Sequence, residues 1–361
     1  MNKPRILFIY PVLTLGGVET VIFTRMRGLG SIGAEVQAVF RRGYSGTNLP
    51  ADLTGKIRVT DSQEEFCQVL DDFRPDWVLH FDSPDYLRVV HAAMPSARQV
   101  YEVHTTLVKN LECLRNPANL EFVSGLVVPS QYQASLVRNY LRSEKPIEVV
   151  PNSVSDGFLS PAERNSTRKK RIVAWVGRFE SQKNWIGYLD IAMRIGKEID
   201  DVEFWMIGGQ RSTLEQQQTL WQTIQKAGLT QRFRWFPVIP STQMPAALKT
   251  VGSSGGCFVS TSRGESFGLA VLEAMAARCP VVAPAVGGLA EIVADQENGL
   301  IYPMDNIEQA TGCVKQILHN QKLQARMAEN AWQTASHYSS KETIQKLLTV
   351  LDRFSRQSLP A

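Results

Sequence analysis

Short apolar runs recur along the chain, with longer amphipathic stretches between them. The short runs are rich in β-branched and aromatic residues and read as strands; the longer ones carry helical spacing. In the first half strands are expected at Arg5–Tyr10, Glu35–Phe40, Trp77–His80, Val100–Val103, Leu126–Val128 and Ile147–Val150. Helices are expected at Gly17–Leu29, Gln63–Asp72, Ser83–Ala93 and Ser130–Tyr140. The rhythm breaks from Ser155 to Lys170, a stretch rich in Ser, Pro, Asn and charge that reads as a linker. It then restarts, with strands at Arg171–Val176, Glu203–Ile207, Phe233–Phe236, Gly256–Val259 and Val281–Ala283. Helices fall at Trp185–Ile199, Thr213–Ala227 and Phe267–Ala277, and helical sequence runs from Ile307 to Phe354. Alternation of this kind predicts an α/β protein: two doubly wound, Rossmann-like domains facing a central cleft, residues 1–154 and 171–339, joined by a linker at 155–170.

Composition narrows the class. The 361 residues are enough for two cores. No apolar run approaches the ~20 residues that span a bilayer. The N-terminal run MNKPRILFIYPVL is short, broken by Pro11 and without a small-residue cleavage pattern, so a buried first strand is the better reading. The five cysteines are scattered and form no CxxC pair, which fits a reduced, cytoplasmic setting and no bound metal. A net charge of +4 is slight. The densest basic run, RKKR at Arg168–Arg171, reads as a solvated linker before a contact with anionic lipid or polymer. Basic residues are not interleaved with aromatics in any nucleic-acid module.

The candidate chemistry lies in loops that follow strands. Gly16 and Gly17 stand between the first strand and the next helix, as a tight turn or as backbone that approaches a ligand. GLGSIG, Gly28–Gly33, matches a dinucleotide fingerprint but follows a helix and precedes a strand, the wrong context. In VGRFESQKNW, Arg178 offers a planar fork and Lys183 a mobile point charge, a pair suited to a diphosphate. In GESFGLAVLE, Glu265 precedes a helix and Glu273 lies two turns inside it. The amides of Ser266, Phe267, Gly268 and Leu269 would face an anion there. Glu273 is then either a solvated acid or a carboxylate placed to accept from the vicinal hydroxyls of a ribose, and Glu265 a helix-capping acid or a sugar ligand. As a glycosidase pair the two are too far apart. Eight residues of helix rise roughly 12 Å, against the roughly 5–9.5 Å such pairs need.

Taken together these motifs resemble the retaining glycosyltransferases of family 4, with the GT-B fold. ESFGLAVLE is similar to their E-x7-E motif, GRFESQK to their G-R-x4-K diphosphate loop, LGGVE to their Gly-Gly loop and VVPNSV to their P-N-G-V segment. GGLAEIV and NGLIYP stand in the expected order. The resemblance implies that Glu273 holds the nucleotide ribose and that Arg178, Lys183 and the amides near Phe267 and Gly268 bind the diphosphate. It implies that Glu265 meets donor-sugar hydroxyls and that His104, in YEVHTT, stands beside the donor sugar. It also implies that the final helical segment, 340–361, packs back on the first domain. Four positions depart from the family pattern by lacking its glycine: Ser153, Asn184, Ser266 and Arg278. Arginine tolerates positive φ poorly, so a reshaped turn is expected at Arg278.

The activity so implied is transfer of a sugar from a UDP- or GDP-linked donor to a sugar, lipid-linked or small-molecule acceptor, with cations in place of a metal. Bacterial polysaccharide, glycolipid or glycoconjugate synthesis is the expected setting. Two readings on the same architecture stay open: a nucleotide-sugar epimerase, and a non-catalytic nucleotide-sugar-binding protein. Another is a membrane-surface adaptor using VETVIFTRMRGL with Arg25 and Arg27, which would set the protein at the inner face of a membrane.

Overall fold

The computed structural model describes residues 3–14, 16–43, 49–160 and 170–356. Two compact units emerge, one running to Ser153 and resuming at Ser340, the other spanning Val154–Ser339.

The first unit holds a seven-stranded sheet of Arg5–Leu13 (β1), Glu35–Gly43 (β2), Ile57–Val59 (β3), Trp77–Phe81 (β4), Arg98–Glu102 (β5), Val123–Val128 (β6) and Ile147–Val149 (β7). Its order is β3-β2-β1-β4-β5-β6-β7 with every pairing parallel. All five residues of β4 are buried, as expected of a strand covered on both faces. β1 runs three residues past the expected end, through Pro11. Its pairing with β4 stops at Ile9 while that with β2 continues to Leu13, so the proline sits where one side of the strand is already unpaired. The segment Ser83–Ala93, expected as one helix, divides into a 3₁₀ turn at Pro84–Tyr86 and a helix at Leu87–Ala93.

The helix Ser340–Ser355 belongs to this first unit. It buries Ile344, Leu347, Val350, Leu351 and Phe354. Phe354 fills the space over Gly125 of β6, and Ile344 and Ser340 lie over Gly28 of the helix Gly17–Ser31. A Cβ at Gly28 would stand 2.6 Å from Ile344, so this glycine of the GLGSIG run is a packing notch between helices.

The second unit holds a six-stranded sheet of Arg171–Val176 (β8), Val202–Ile207 (β9), Phe233–Phe236 (β10), Cys257–Val259 (β11), Val281–Pro284 (β12) and Gly299–Tyr302 (β13), in the order β10-β9-β8-β11-β12-β13 and again all parallel. Besides a short helix at Leu289–Ile292, three elements here were not anticipated. β13 closes one edge of the sheet. The helix Met244–Ser253 carries Pro245 in its first turn, where a missing N–H costs nothing. The third is a short helix at Asp156–Leu159, inside the expected linker. Phe158 is buried in the core with Leu248 and Trp205, so residues 155–160 pack as part of the second unit. Residues 161–169, with Arg168 and Lys169 of the basic run, lie outside the described residues, and Arg171 opens β8 paired with Asp201 at 3.0 Å.

Each sheet reverses its strand order once, between β1 and β4 and between β8 and β11. In open parallel sheets ligands bind beyond the carboxyl ends of the strands at such a point. The loops after β1, β4, β8 and β11 are therefore the places to look for chemistry.

Candidate functional site

In the second unit, the loops after β8 and β11 are sewn together. Gln182 donates through Nε2 to the carbonyl of Gly264 at 2.9 Å, and the Arg263 amide donates to the Gln182 carbonyl at 2.7 Å. Thr261 donates to the carbonyls of Lys183 and Asn184 at 3.0 and 2.9 Å, while the Trp175 indole donates to its hydroxyl. Asn184 follows Lys183 with φ of 47°, a left-handed conformation that asparagine tolerates better than most residues. Its side chain accepts from the Gly187 amide at 3.1 Å and caps the helix Trp185–Gly196. The departure from glycine at this position thus keeps the turn and adds a cap.

This framework brings Lys183 and Glu265 together. Lys183 Nζ lies 2.6 Å from Glu265 Oε1, and Ser262 donates to the same oxygen at 2.7 Å. Both charged side chains remain partly open to solvent. Arg178 stands apart, 66% exposed and 2.9 Å from Glu180, so the described structure does not join it to Lys183. Ser262 and the Arg263–Asp305 pair were invisible to motif reading. Only the run of small hydroxyl residues before Glu265 hinted at them.

The helix after Glu265 begins at Leu269, two residues later than expected, because Gly268 takes φ of 99° and ends the loop. Its first-turn amides carry no side-chain cap and are open to an anion. Gly287 and Gly288 explain the GGLAEIV motif. The Gly288 amide donates to the Glu265 carbonyl at 2.9 Å, and a Cβ on Gly288 would stand 2.6 Å from the Ser266 carbonyl oxygen. Phe267 is buried in the core, so it contributes backbone and not a side chain to this loop. Arg278 does not avoid the left-handed region. It adopts φ of 56°, and its guanidinium pairs with Glu329 and stacks 4.1 Å over Trp332.

Glu273 is half-buried in the helix Leu269–Ala276, and burial pushes its carboxyl up to about 8. No hydrogen-bond donor among the described residues reaches its side chain.

In the first unit, the loop after β1 closes on Glu19. That buried carboxylate accepts from the Thr14 amide and hydroxyl at 2.5 Å and from the Gly16 amide at 3.1 Å. Gly17 opens the helix with no neighbour in the space of its missing side chain. Beyond β5, the His104 amide donates to Asp82 at 3.0 Å, and its Nε2 lies 3.1 Å from Glu102 Oε2. The His104 ring stacks on Phe81, centroids 5.0 Å apart. Arg25 donates through Nη1 to both oxygens of Glu102, and both side chains are buried. Burial is the strongest single influence on Glu102 and opposes its ionisation, but the charges and hydrogen bonds of Arg25 and His104 together outweigh it, and the carboxyl is held below its usual range. Arg25 is therefore no part of a lipid-facing surface, and Arg27 of the same helix pairs with Asp52 at 2.7 Å. No helix among the described residues is long and apolar enough to cross a membrane. Glu19, Arg25, Asp82 and Glu102 were not anticipated as site residues; only Glu102 had a signal, two positions before His104 on one strand face.

Residues 159–334 match the family model described as Glycosyl transferases group 1. The D-inositol 3-phosphate glycosyltransferase of Mycolicibacterium smegmatis is 28% identical over 237 residues, covering 63% of this chain and 52% of that protein. The alpha-D-kanosaminyltransferase of Streptomyces kanamyceticus is 29% identical over 171 residues, 47% of this chain and 42% of that one. The chain spans about half the length of the curated relatives it matches. Among solved structures, Anabaena Alr3699/HepE in complex with UDP-glucose superposes with a TM-score of 0.82 at 18% identity, over 97% of this chain and 99% of that one. Sucrose-phosphate synthase from Thermosynechococcus elongatus superposes with a TM-score of 0.79 at 16% identity, over 99% and 100%. The fold is α/β GT-B, and the match over residues 159–334 supports a likeness to the family 4 glycosyltransferases.

Proposed function

We propose that the protein transfers a sugar from a nucleoside diphosphate to an acceptor hydroxyl with retention of configuration and without a metal ion. The observation that carries this reading is the second unit's loop pair. Lys183 is held beside a helix with open first-turn amides, and an unpartnered carboxylate, Glu273, lies further along that helix. Lys183 and the amides meet a diphosphate, with Arg178 free to swing in from its exposed pair. Glu273 accepts from two ribose hydroxyls. Glu265, oriented by Ser262, contacts the transferred sugar, and His104 is read as the residue that serves a hydroxyl of the donor sugar. A UDP-linked donor is favoured by the likeness to a protein solved with UDP-glucose. As the diphosphate departs, Lys183 leaves Glu265 to neutralise the leaving oxygen, the part a cation otherwise plays.

Lys183→Ala tests this. Removing one donor from a preorganised anion site costs ~2.7–4 kcal/mol in the barrier, or about 10²–10³ in rate. Nucleotide release is measured for UDP-, GDP-, ADP- and dTDP-linked sugars with and without EDTA. Activity unchanged by the chelator and crippled by the substitution is expected. Wild-type activity lost in EDTA and restored by Mg²⁺ would overturn the metal-free mechanism. Conversion of the donor sugar without transfer would favour an epimerase.

A further inference from the structure

We propose that Glu102, clamped by Arg25, is a positioning residue for His104: it makes Nε2 the protonated ring nitrogen and leaves Nδ1 as a lone pair for a hydroxyl of the transferred sugar. This rests on the reading that His104 serves that sugar.

The argument starts from position. Glu102 ends β5 and His104 follows two residues later, so the two side chains fall on one face. Nε2 of His104 and Oε2 of Glu102 are 3.1 Å apart. An ionised carboxylate can only accept, so the neutral imidazole must present its N–H to Glu102. The tautomer of a histidine is set by the bond its other nitrogen makes. Nδ1 has no partner among the described residues.

Ionisation of Glu102 is secured from the other side. Arg25 bonds both of its oxygens, and the Arg25 guanidinium lies 5.5 Å over the Phe81 ring, the ring that also stacks on His104. Asp82, at φ of 46°, fixes the backbone at both positions. Its amide donates to the Glu102 carbonyl at 2.9 Å and its carboxylate accepts from the His104 amide at 3.0 Å. Ring plane, tautomer and backbone are thus each constrained by a separate contact.

The arrangement is poor as a device for stability. Arg25 Nη2 is buried with no partner, and a buried ion pair is often no better than apolar residues of similar volume. A group of charges that leaves a donor orphaned in the core is accounted for by how it orients the His104 ring, whose side chain keeps 3% of its area accessible.

The test uses full-length protein labelled with ¹⁵N-histidine, the His104 signals assigned by loss in His104→Gln. With the ring neutral, wild type is expected to show a protonated Nε2 and an unprotonated Nδ1. A protonated Nδ1 overturns the proposal, and this result needs no substitution at Glu102. Turnover is then followed with the nucleotide sugar that releases nucleotide fastest. Glu102→Gln should lower kcat by about 10- to 100-fold and leave affinity for the free nucleoside diphosphate unchanged. In a His104→Ala background it should cause no further loss, because its effect passes through the ring. A full extra loss in that background overturns the positioning role. Arg25→Lys, which keeps the cation, should retain the wild-type tautomer and guards against a Glu102 variant that fails to fold. If His104→Ala alone keeps wild-type turnover, it is the functional reading of His104 that fails, whatever the tautomer.

Discussion

The two units solve opposite problems with charge. In the first, Arg25 and Glu102 are buried, and Asp82 and His104 are held beside them. In the second, Lys183, Glu265 and Arg178 sit on loops at 24%, 15% and 66% exposure, within reach of water. Buried charges cannot rearrange without leaving a partner stranded. Half-exposed ones can exchange a neighbour for a ligand at little cost. The difference separates a half whose charges are fixed by burial from a half whose charges are free to exchange partners. It also assigns the glycines. Gly28 and Gly125 of the first unit make room for a packed helix, and Gly287 and Gly288 of the second let two loops meet.

The largest effect should come from attacking the fixed half. Arg25→Met leaves Glu102 charged and buried, which costs about 3–5 kcal/mol. Lys183→Met, across a half-exposed pair, should change stability by only about 0–1 kcal/mol. Denaturant unfolding of both variants reads the contrast directly; equal losses would erase the distinction between the units. Next in size is Glu273→Gln. Removing a charged acceptor for two hydroxyls should weaken nucleotide binding by about 1.5–3 kcal/mol, with the fold intact, as calorimetry would report; unchanged affinity removes the ribose role. The smallest is Arg278→Gly. A left-handed arginine costs about 1–2 kcal/mol, offset by its stacking over Trp332 and its pairing with Glu329, about 0.5–1 each. Melting curves should differ little from wild type, and a large loss would mean that the side-chain contacts dominate the turn.

Much of the scaffold was legible because parallel strands covered on both faces are continuous apolar runs. Trp77–Phe81 and Arg171–Val176 stand out for that reason. Ile57–Val59 and Gly299–Tyr302 did not, being short and set at sheet edges. The helix at Met244–Ser253 was missed, and the one at Asp156–Leu159 was hidden in a polar run whose lone Phe158 makes the core contact. In the candidate site, loops after strands could be read because Gly, Arg, Lys and Glu recur there in order. The partners could not. Arg25 looks like one cation on a helix face, and only the fold brings it to Glu102, 77 residues away. Ser262 and Asp82 have no motif of their own, since their roles come from the distance to Glu265 and to the His104 amide.

The carboxyl of Glu273 ties the exchangeable half to an observable proton. Held up at about 8, against 4.5 for an ordinary glutamate, it keeps in the free protein a proton that the unfolded chain has lost. The native state binds more protons between those values, so this group's contribution makes the free protein less stable as pH rises from 4.5 to about 8. Ribose hydroxyls donating to the carboxylate favour its ionised form. The decisive measurement is calorimetric titration of UDP, GDP, ADP and dTDP at pH 7 in two buffers of different ionisation enthalpy. The account predicts that a nucleoside diphosphate binds wild type with release of a proton, and that Glu273→Gln binds it more weakly with none. Binding without proton release, or an unchanged release in Glu273→Gln, would contradict the role of Glu273; no binding by any of the four would contradict the nucleotide site itself.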